Sequence, residues 1–121
     1  MIKKLLFVLL CWASLAQAET RPWTDEEKYL GTALGVALLA DWSSTRYAAR
    51  HGWPNVKEDN IFLGDHPSVS KLDRHFIIGV PILFWLFDHA DENRKMGLIG
   101  MTALEIYASS NNARVGLRFK F

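Results

Sequence analysis

The sequence has almost no cysteine and almost no net charge. Its one cysteine, Cys11, lies near the N-terminus, so no disulfide can form within the chain. The formal net charge of +1 gives no field strong enough to indicate a nucleic-acid partner. A length of 121 residues suffices for one domain. The sequence therefore predicts a single domain without a disulfide framework and without nucleic-acid binding.

The common motifs of enzymes and metal sites are also missing. The sequence contains no GxSxG and no glycine-rich phosphate loop, and no cysteine follows residue 18. Its four histidines do not fall into HxH or HExxH spacing, and the carboxylates do not spell out a ligand set. The residues therefore specify no catalytic group, no metal site and no cofactor, and they do not assign an enzyme.

The N-terminal segment has the parts of a secretory signal peptide. Two lysines are followed by an apolar run over residues 5–15, and an Ala-x-Ala cleavage site ends at Ala18. We therefore predict a signal peptide over residues 1–18 and a single helical membrane domain over residues 19–121. An export signal of this kind is typical of a bacterial or phage-encoded protein of the cell envelope.

Three apolar runs follow, and their composition favours helices. A capping box, Thr24-x-x-Glu27, precedes the first run, which predicts a helix from about Asp25 to Arg50. The other two runs cover residues 76–89 and 96–110. The predicted fold class is therefore all-α, a small bundle of about three short helices after the signal peptide. An extended C-terminal tail follows, in which apolar and polar residues alternate as in a strand.

Each run approaches the roughly 20 residues of a membrane span only if its polar ends are included. Two observations nevertheless favour spanning. Pro81 interrupts the second run, and membrane helices tolerate an internal proline better than soluble ones. The two sides of the predicted topology hold eight and four basic residues, as the positive-inside rule requires. We therefore predict transmembrane helices with the lipid bilayer as partner, in the inner membrane; the alternative is a soluble periplasmic domain.

Small residues in the runs indicate close helix packing. GxxxG and related spacings let two helix backbones approach each other, within one chain, between copies or against another membrane protein. The glycines predicted to pack in this way are Gly31, Gly35, Gly97 and Gly100.

Five polar residues form a candidate binding cluster. Asp41 and Thr45 are four residues apart, so they share one face of the first helix. Glu58 and Asn60 come from the following loop, and Glu105 interrupts the third run. Such a cluster could bind a cation, relay protons or hold a lipid headgroup.

The alternative for these residues is a purely structural role. A carboxylate in or near a bilayer needs a partner, and Arg46 or a hydroxyl or amide of the loop could supply it to Asp41. In that case Asp41 and Thr45 tie the loop over residues 51–70 to the first helix by hydrogen bonds.

The spaced polar residues also carry a family resemblance. The string runs Asp41-Trp42-x-x-Thr45-Arg46, then Glu58-x-Asn60-x-x-Leu63-Gly64-x-x-Pro67-Ser68. It resembles a family of small uncharacterised bacterial and phage-encoded membrane proteins, over roughly residues 30–121. Members often carry proline directly after the asparagine, where this chain has Ile61. The resemblance implies a few-helix membrane protein with no assigned biochemical activity.

The leading functional prediction is thus a small exported integral membrane protein with a structural or interaction role. One alternative is a membrane-embedded hydrolase or ion-binding protein that uses Asp41, Glu58 and Glu105. The other is a soluble periplasmic helical binding domain.

Overall fold

The chain is all-helical wherever its structure is described. A computed structural model describes residues 20–58 and 60–121, so the predicted signal peptide over residues 1–18 lies outside the described part. The elements are α1 (Asp25–Arg50), α2 (Val69–Asp88), a 3-10 helix (Asp91–Asn93) and α3 (Arg94–Arg114). No strand occurs in these two ranges.

The prediction of transmembrane helices is wrong. Within the described ranges, no helix has a stretch long and apolar enough to cross a bilayer. The reason lies in the polar residues that extend each apolar run. The helix α1 begins with three acidic residues and contains the polar segment DWSSTR, while the first turns of α2 hold Lys71, Asp73 and Arg74. An inner-membrane bundle of spanning helices is therefore not the structure of this part of the chain.

The capping box at the start of α1 is confirmed. The Glu27 backbone N–H donates to the Thr24 hydroxyl at 3.2 Å, and the Thr24 backbone N–H donates to Glu27 Oε2 at 3.0 Å. The helix then runs from Asp25 to Arg50, as predicted. Its first turn therefore has two of its free N–H groups satisfied by short-range contacts that the sequence specifies.

The helix α2 begins earlier than its apolar run. Ser68 caps it, because the Lys71 backbone N–H donates to the Ser68 hydroxyl at 3.2 Å. The helix continues through Pro81 to Asp88, although a proline inside a helix leaves one carbonyl without its usual donor. The predicted loop, which reached residue 70, is therefore two residues too long.

The helix α3 also outlasts its apolar run, so the predicted extended tail is shorter than expected. A Schellman motif ends the helix: Leu117 N–H donates to the Asn112 carbonyl at 3.0 Å and Gly116 N–H to the Ala113 carbonyl at 3.1 Å. Gly116 has a φ of 86°, which favours glycine, and Leu117 is buried beside it. The alternating pattern after residue 114 forms no strand in the described chain.

The core lies where the three helices and the loop meet. Its buried apolar side chains are Leu34, Leu38, Leu63, Leu72, Phe76, Phe87 and Leu98. The loop between α1 and α2 contributes Leu63, while its neighbours Ile61 and Phe62 are exposed. Leu63 thus lies in the core, and Trp53 of the same loop packs against it.

A buried arginine joins the start of the described chain to the α2–α3 connection. Arg94 is fully buried and donates to the carbonyls of Arg21, Phe87 and Asp88 at 3.1, 2.8 and 2.7 Å. Its guanidinium also lies 3.3 Å from Glu27 Oε2, and Arg21 pairs with the same carboxylate. The Arg21 guanidinium above all lowers the pKa of Glu27 to about 2. The negative charge of the buried Glu27 is therefore compensated by the two guanidinium groups of Arg21 and Arg94.

The four predicted packing glycines divide into two kinds. A Cβ on Gly31 would lie 2.9 Å from a ring carbon of Trp23, and one on Gly97 would lie 2.7 Å from a ring carbon of Phe87. A Cβ on Gly35 or Gly100 would meet no described atom within 4 Å. Close packing within the chain therefore requires glycine at two of the four positions.

Candidate functional site

One cavity brings together all five polar residues of the predicted cluster. It has a volume of about 610 Å³ and lies between α1, α3, the loop and the C-terminal tail. Its lining includes Asp41 and Thr45 from α1, Glu58 and Asn60 from the loop, and Glu105 from α3. We refer to it as the polar cavity.

Asp41 is held by α1 itself and by α3. Its Oδ1 accepts hydrogen bonds from the Thr45 hydroxyl at 3.3 Å and from Asn112 Nδ2 at 3.1 Å. Asn112 Nδ2 also lies 2.8 Å from the Ser44 hydroxyl, so its two hydrogens bridge both residues of α1. The predicted Arg46 partner is instead bound to Asp73, at 2.8 Å. Asp41 and Thr45 therefore join α1 to α3, and none of the side-chain hydrogen bonds that they make with described residues reaches the loop over residues 51–70.

The surroundings of Asp41 favour its neutral form. Burial raises its pKa, and repulsion from Glu58 adds to this, while the hydrogen bonds from Thr45 and Asn112 oppose it. The result is a pKa of about 6 for Asp41. At neutral pH the carboxylate is therefore ionised at a cost to the folded state.

Glu105 is the least satisfied carboxyl group of the polar cavity. Its Oε2 is buried and has no hydrogen-bond partner among the described residues. Burial raises the pKa of Glu105 to about 7, and repulsion from Asp41 and Glu58 contributes. A group with this pKa holds its proton in about half of the molecules at neutral pH. Glu105 can therefore gain or lose a proton near pH 7.

The loop holds its polar residues through its own hydrogen bonds. Glu58 Oε1 accepts from the Asn60 backbone N–H at 2.9 Å, and Asn60 Oδ1 accepts from the Phe62 backbone N–H at 3.0 Å. The Asn60 carbonyl accepts from the Leu63 backbone N–H at 3.0 Å. The Asn60 side chain also reaches α2, where its Nδ2 lies 3.3 Å from His75 Nε2. Asn60 is thus the residue that shapes this turn and keeps Glu58 at the polar cavity.

Sequence reasoning missed several residues of the lining. Besides the five predicted residues, polar and aromatic groups contribute: Lys57, Asn111, Asn112, Trp53 and Tyr107. Asparagine is a poor helix former, so the pair at 111–112 inside a helix is a signal for a tertiary role. That signal was lost because these residues were assigned to the extended tail.

A metal centre finds no support in the geometry. Nowhere in residues 20–58 and 60–121 are three or more His, Cys, Asp or Glu side chains placed to hold one metal ion.

Comparison with protein-family models, with curated proteins and with solved structures finds no match for this chain.

Proposed function

We propose that the chain is a small helical binding domain whose polar cavity takes up an organic cation such as a protonated amine. The observation that carries the proposal is Glu105, a carboxyl group with one buried oxygen that no described residue satisfies. A buried acceptor of this kind is normally paired with a donor, and an ammonium group of a ligand would supply one.

The charges in the lining support a cationic ligand. In the described lining, three carboxyl groups meet, those of Asp41, Glu58 and Glu105. Burial raises the pKa of Asp41 and of Glu105, and repulsion from Glu58 adds to both shifts. Lys57 is the one basic side chain in the described lining, and it is exposed to solvent. An ammonium group between the carboxylates would relieve the repulsion that the empty site bears.

The size and the apolar part of the lining favour an organic ligand. A volume of about 610 Å³ falls within the roughly 300–1,000 Å³ of small-molecule sites. Val56, Leu104 and Leu117 offer apolar contacts for a hydrocarbon body. Trp53 and Tyr107 offer aromatic rings, which attract cations through their π faces. The lining thus combines the contacts that an amine with an apolar body requires.

Isothermal titration calorimetry with small probes tests the proposal. We expect the purified chain to bind benzylammonium or putrescine at pH 8, and not benzyl alcohol, the neutral analogue of the first probe. Glu105→Gln should weaken ammonium binding about tenfold, which corresponds to about 1.4 kcal/mol. Glu92→Gln is the matched control, because Glu92 is an exposed glutamate outside the cavity lining.

Two results would contradict the proposal. One is equal binding of benzyl alcohol and benzylammonium, which would show that the cavity selects for the ring and not for the charge. The other is the absence of saturable binding with both benzylammonium and putrescine while the chain remains folded by circular dichroism.

A further inference from the structure

We infer that the polar cavity works by exchange, releasing a proton from its carboxyl groups when the organic cation binds. This inference rests on the proposed function and adds a mode of regulation to it, since binding would then strengthen as pH rises. The geometry behind it is the shared position of Asp41, Glu58 and Glu105 in one lining, with the Oε2 of Glu105 buried and unpartnered among the described residues.

The groups that face Glu105 in the cavity come from two other elements. The helix α1 contributes Asp41, and the loop contributes Glu58 and Lys57. Tyr107 lies on α3 itself, and the tail adds only apolar side chains to the lining. Negative groups thus outnumber the exposed lysine, and a proton on Glu105 is the simplest counter-charge that the empty cavity can acquire.

The exchange balances in charge and in atoms. In molecules whose Glu105 carboxyl holds a proton, the O–H bond breaks as the ammonium ion enters. The electron pair stays on the carboxylate, the proton passes to water and then to buffer, and an N–H of the ligand becomes the new hydrogen-bond donor. One positive charge leaves and one arrives, so the net charge inside the cavity does not change.

The raised pKa of Glu105, about 7, and that of Asp41, about 6, place this exchange in an accessible pH range. Near pH 7 about half a proton should be released per ligand bound, because Glu105 is then about half protonated. At pH 8 about nine tenths of Glu105 and nearly all of Asp41 are ionised before binding, so release should fall to about a tenth of a proton. The affinity for the cation should level off in the same range.

Calorimetry in two buffers measures the released proton directly. Benzylammonium is titrated at pH 7 and at pH 8 into the full chain in phosphate and in Tris, whose heats of protonation differ strongly. We expect the observed heat to depend on the buffer several times more strongly at pH 7 than at pH 8, where the amine is still almost fully protonated. Glu105→Gln should reduce the dependence at pH 7, while Glu92→Gln should leave it unchanged.

The possible failures are distinguishable. Saturable binding with the same heat in both buffers at pH 7 would overturn proton exchange and leave cation binding intact. Buffer dependence that is undiminished in Glu105→Gln would place the proton elsewhere and overturn the assignment. No saturation with any ammonium probe would overturn the proposed function and this inference together.

Discussion

Replacing Asp41 by asparagine should stabilise the folded protein at high pH. The change keeps the size of the side chain and an oxygen that can accept from Thr45 and Asn112, but it removes the charge. In the folded chain burial and repulsion raise the Asp41 pKa above its ordinary value. The folded state therefore binds this proton more tightly than the unfolded chain, and stability is lost as pH rises through the interval between the two pKa values.

The magnitude follows from the size of that interval. The pKa of Asp41 rises from 3.8 to about 6, and each tenfold change in the ionisation equilibrium corresponds to about 1.4 kcal/mol. Ionised Asp41 therefore costs the folded state about 3 kcal/mol above pH 6 and nothing below pH 3.8. Asp41→Asn has no ionisable group at this position and does not pay this cost. The difference in the free energy of unfolding, variant minus original chain, should therefore increase by about 2–3 kcal/mol between pH 4 and pH 8.

Urea unfolding followed by tryptophan fluorescence measures the difference, with Trp42 next to the altered residue. The free energy of unfolding is compared at pH 4 and pH 8 for the original chain, for Asp41→Asn and for Glu92→Gln. The exposed Glu92 control should show no pH-dependent gain. A constant difference at both pH values, or a less stable Asp41→Asn at pH 8, would refute the argument that Asp41 is ionised at a cost.

Four further substitutions concern stability and are measured by the same unfolding assay at one pH. Gly97→Ala should cost about 1–3 kcal/mol, because its Cβ would lie 2.7 Å from the ring of a core phenylalanine. Gly100→Ala on the same helix should gain up to about 1 kcal/mol; a loss there as large as for Gly97 would contradict the packing account. Arg94→Met should cost about 3 kcal/mol by leaving the buried Glu27 with one partner fewer, and an unchanged midpoint would refute this. Gly116→Ala should cost about 1 kcal/mol, given its φ of 86°, and a neutral result would mean that the helix end rearranges.

Local sequence signals predicted the start of α1 because all its determinants lie within four residues. Thr24 and Glu27 satisfy each other's backbone groups, so no distant part of the chain is needed. The end of α3 has an equally local signal, Gly116 followed by the apolar Leu117, but the alternating pattern beyond it was given more weight. The start of α1 and the end of α3 could thus both be predicted from short motifs. The end of α3 was wrong because the alternating tail pattern and the Gly116–Leu117 motif predict different structures there.

The membrane prediction failed because apolar runs of 14 or 15 residues do not distinguish a bilayer span from a helix of a globular bundle. The surplus of apolar residues in this chain is real. Large apolar side chains are exposed on each helix, for example Leu39 on α1, Ile77 on α2 and Leu104 on α3. The high apolar content of the sequence comes from these exposed side chains as well as from the core. Whether a helix could cross a bilayer depends instead on the length and polarity of the whole helix.

The tertiary partners of buried polar groups were beyond sequence reasoning. Arg94 looks like one residue of a short polar turn, yet it reaches Glu27, which lies 67 positions earlier in the chain. Asp41 was singled out because it interrupts an apolar run, but its partner Asn112 lies 71 positions away. The family resemblance carried by the motif around Asp41 stays a prediction, and so does the placement of the chain in the cell envelope.

The two ends of the molecule treat buried carboxyl groups in opposite ways, and this contrast is the main argument for a binding role. At one end Arg21 and Arg94 lower the pKa of Glu27 to about 2, so the ionised form contributes stability that is lost only as pH falls below the ordinary value. At the other end no described guanidinium pairs with Glu105, whose pKa rises to about 7. A structural role would be served better by a paired or an apolar side chain at that position. Among the described residues, Glu105 Oε2 has no donor although it lines a cavity of about 610 Å³, and the proposed ligand would supply that donor.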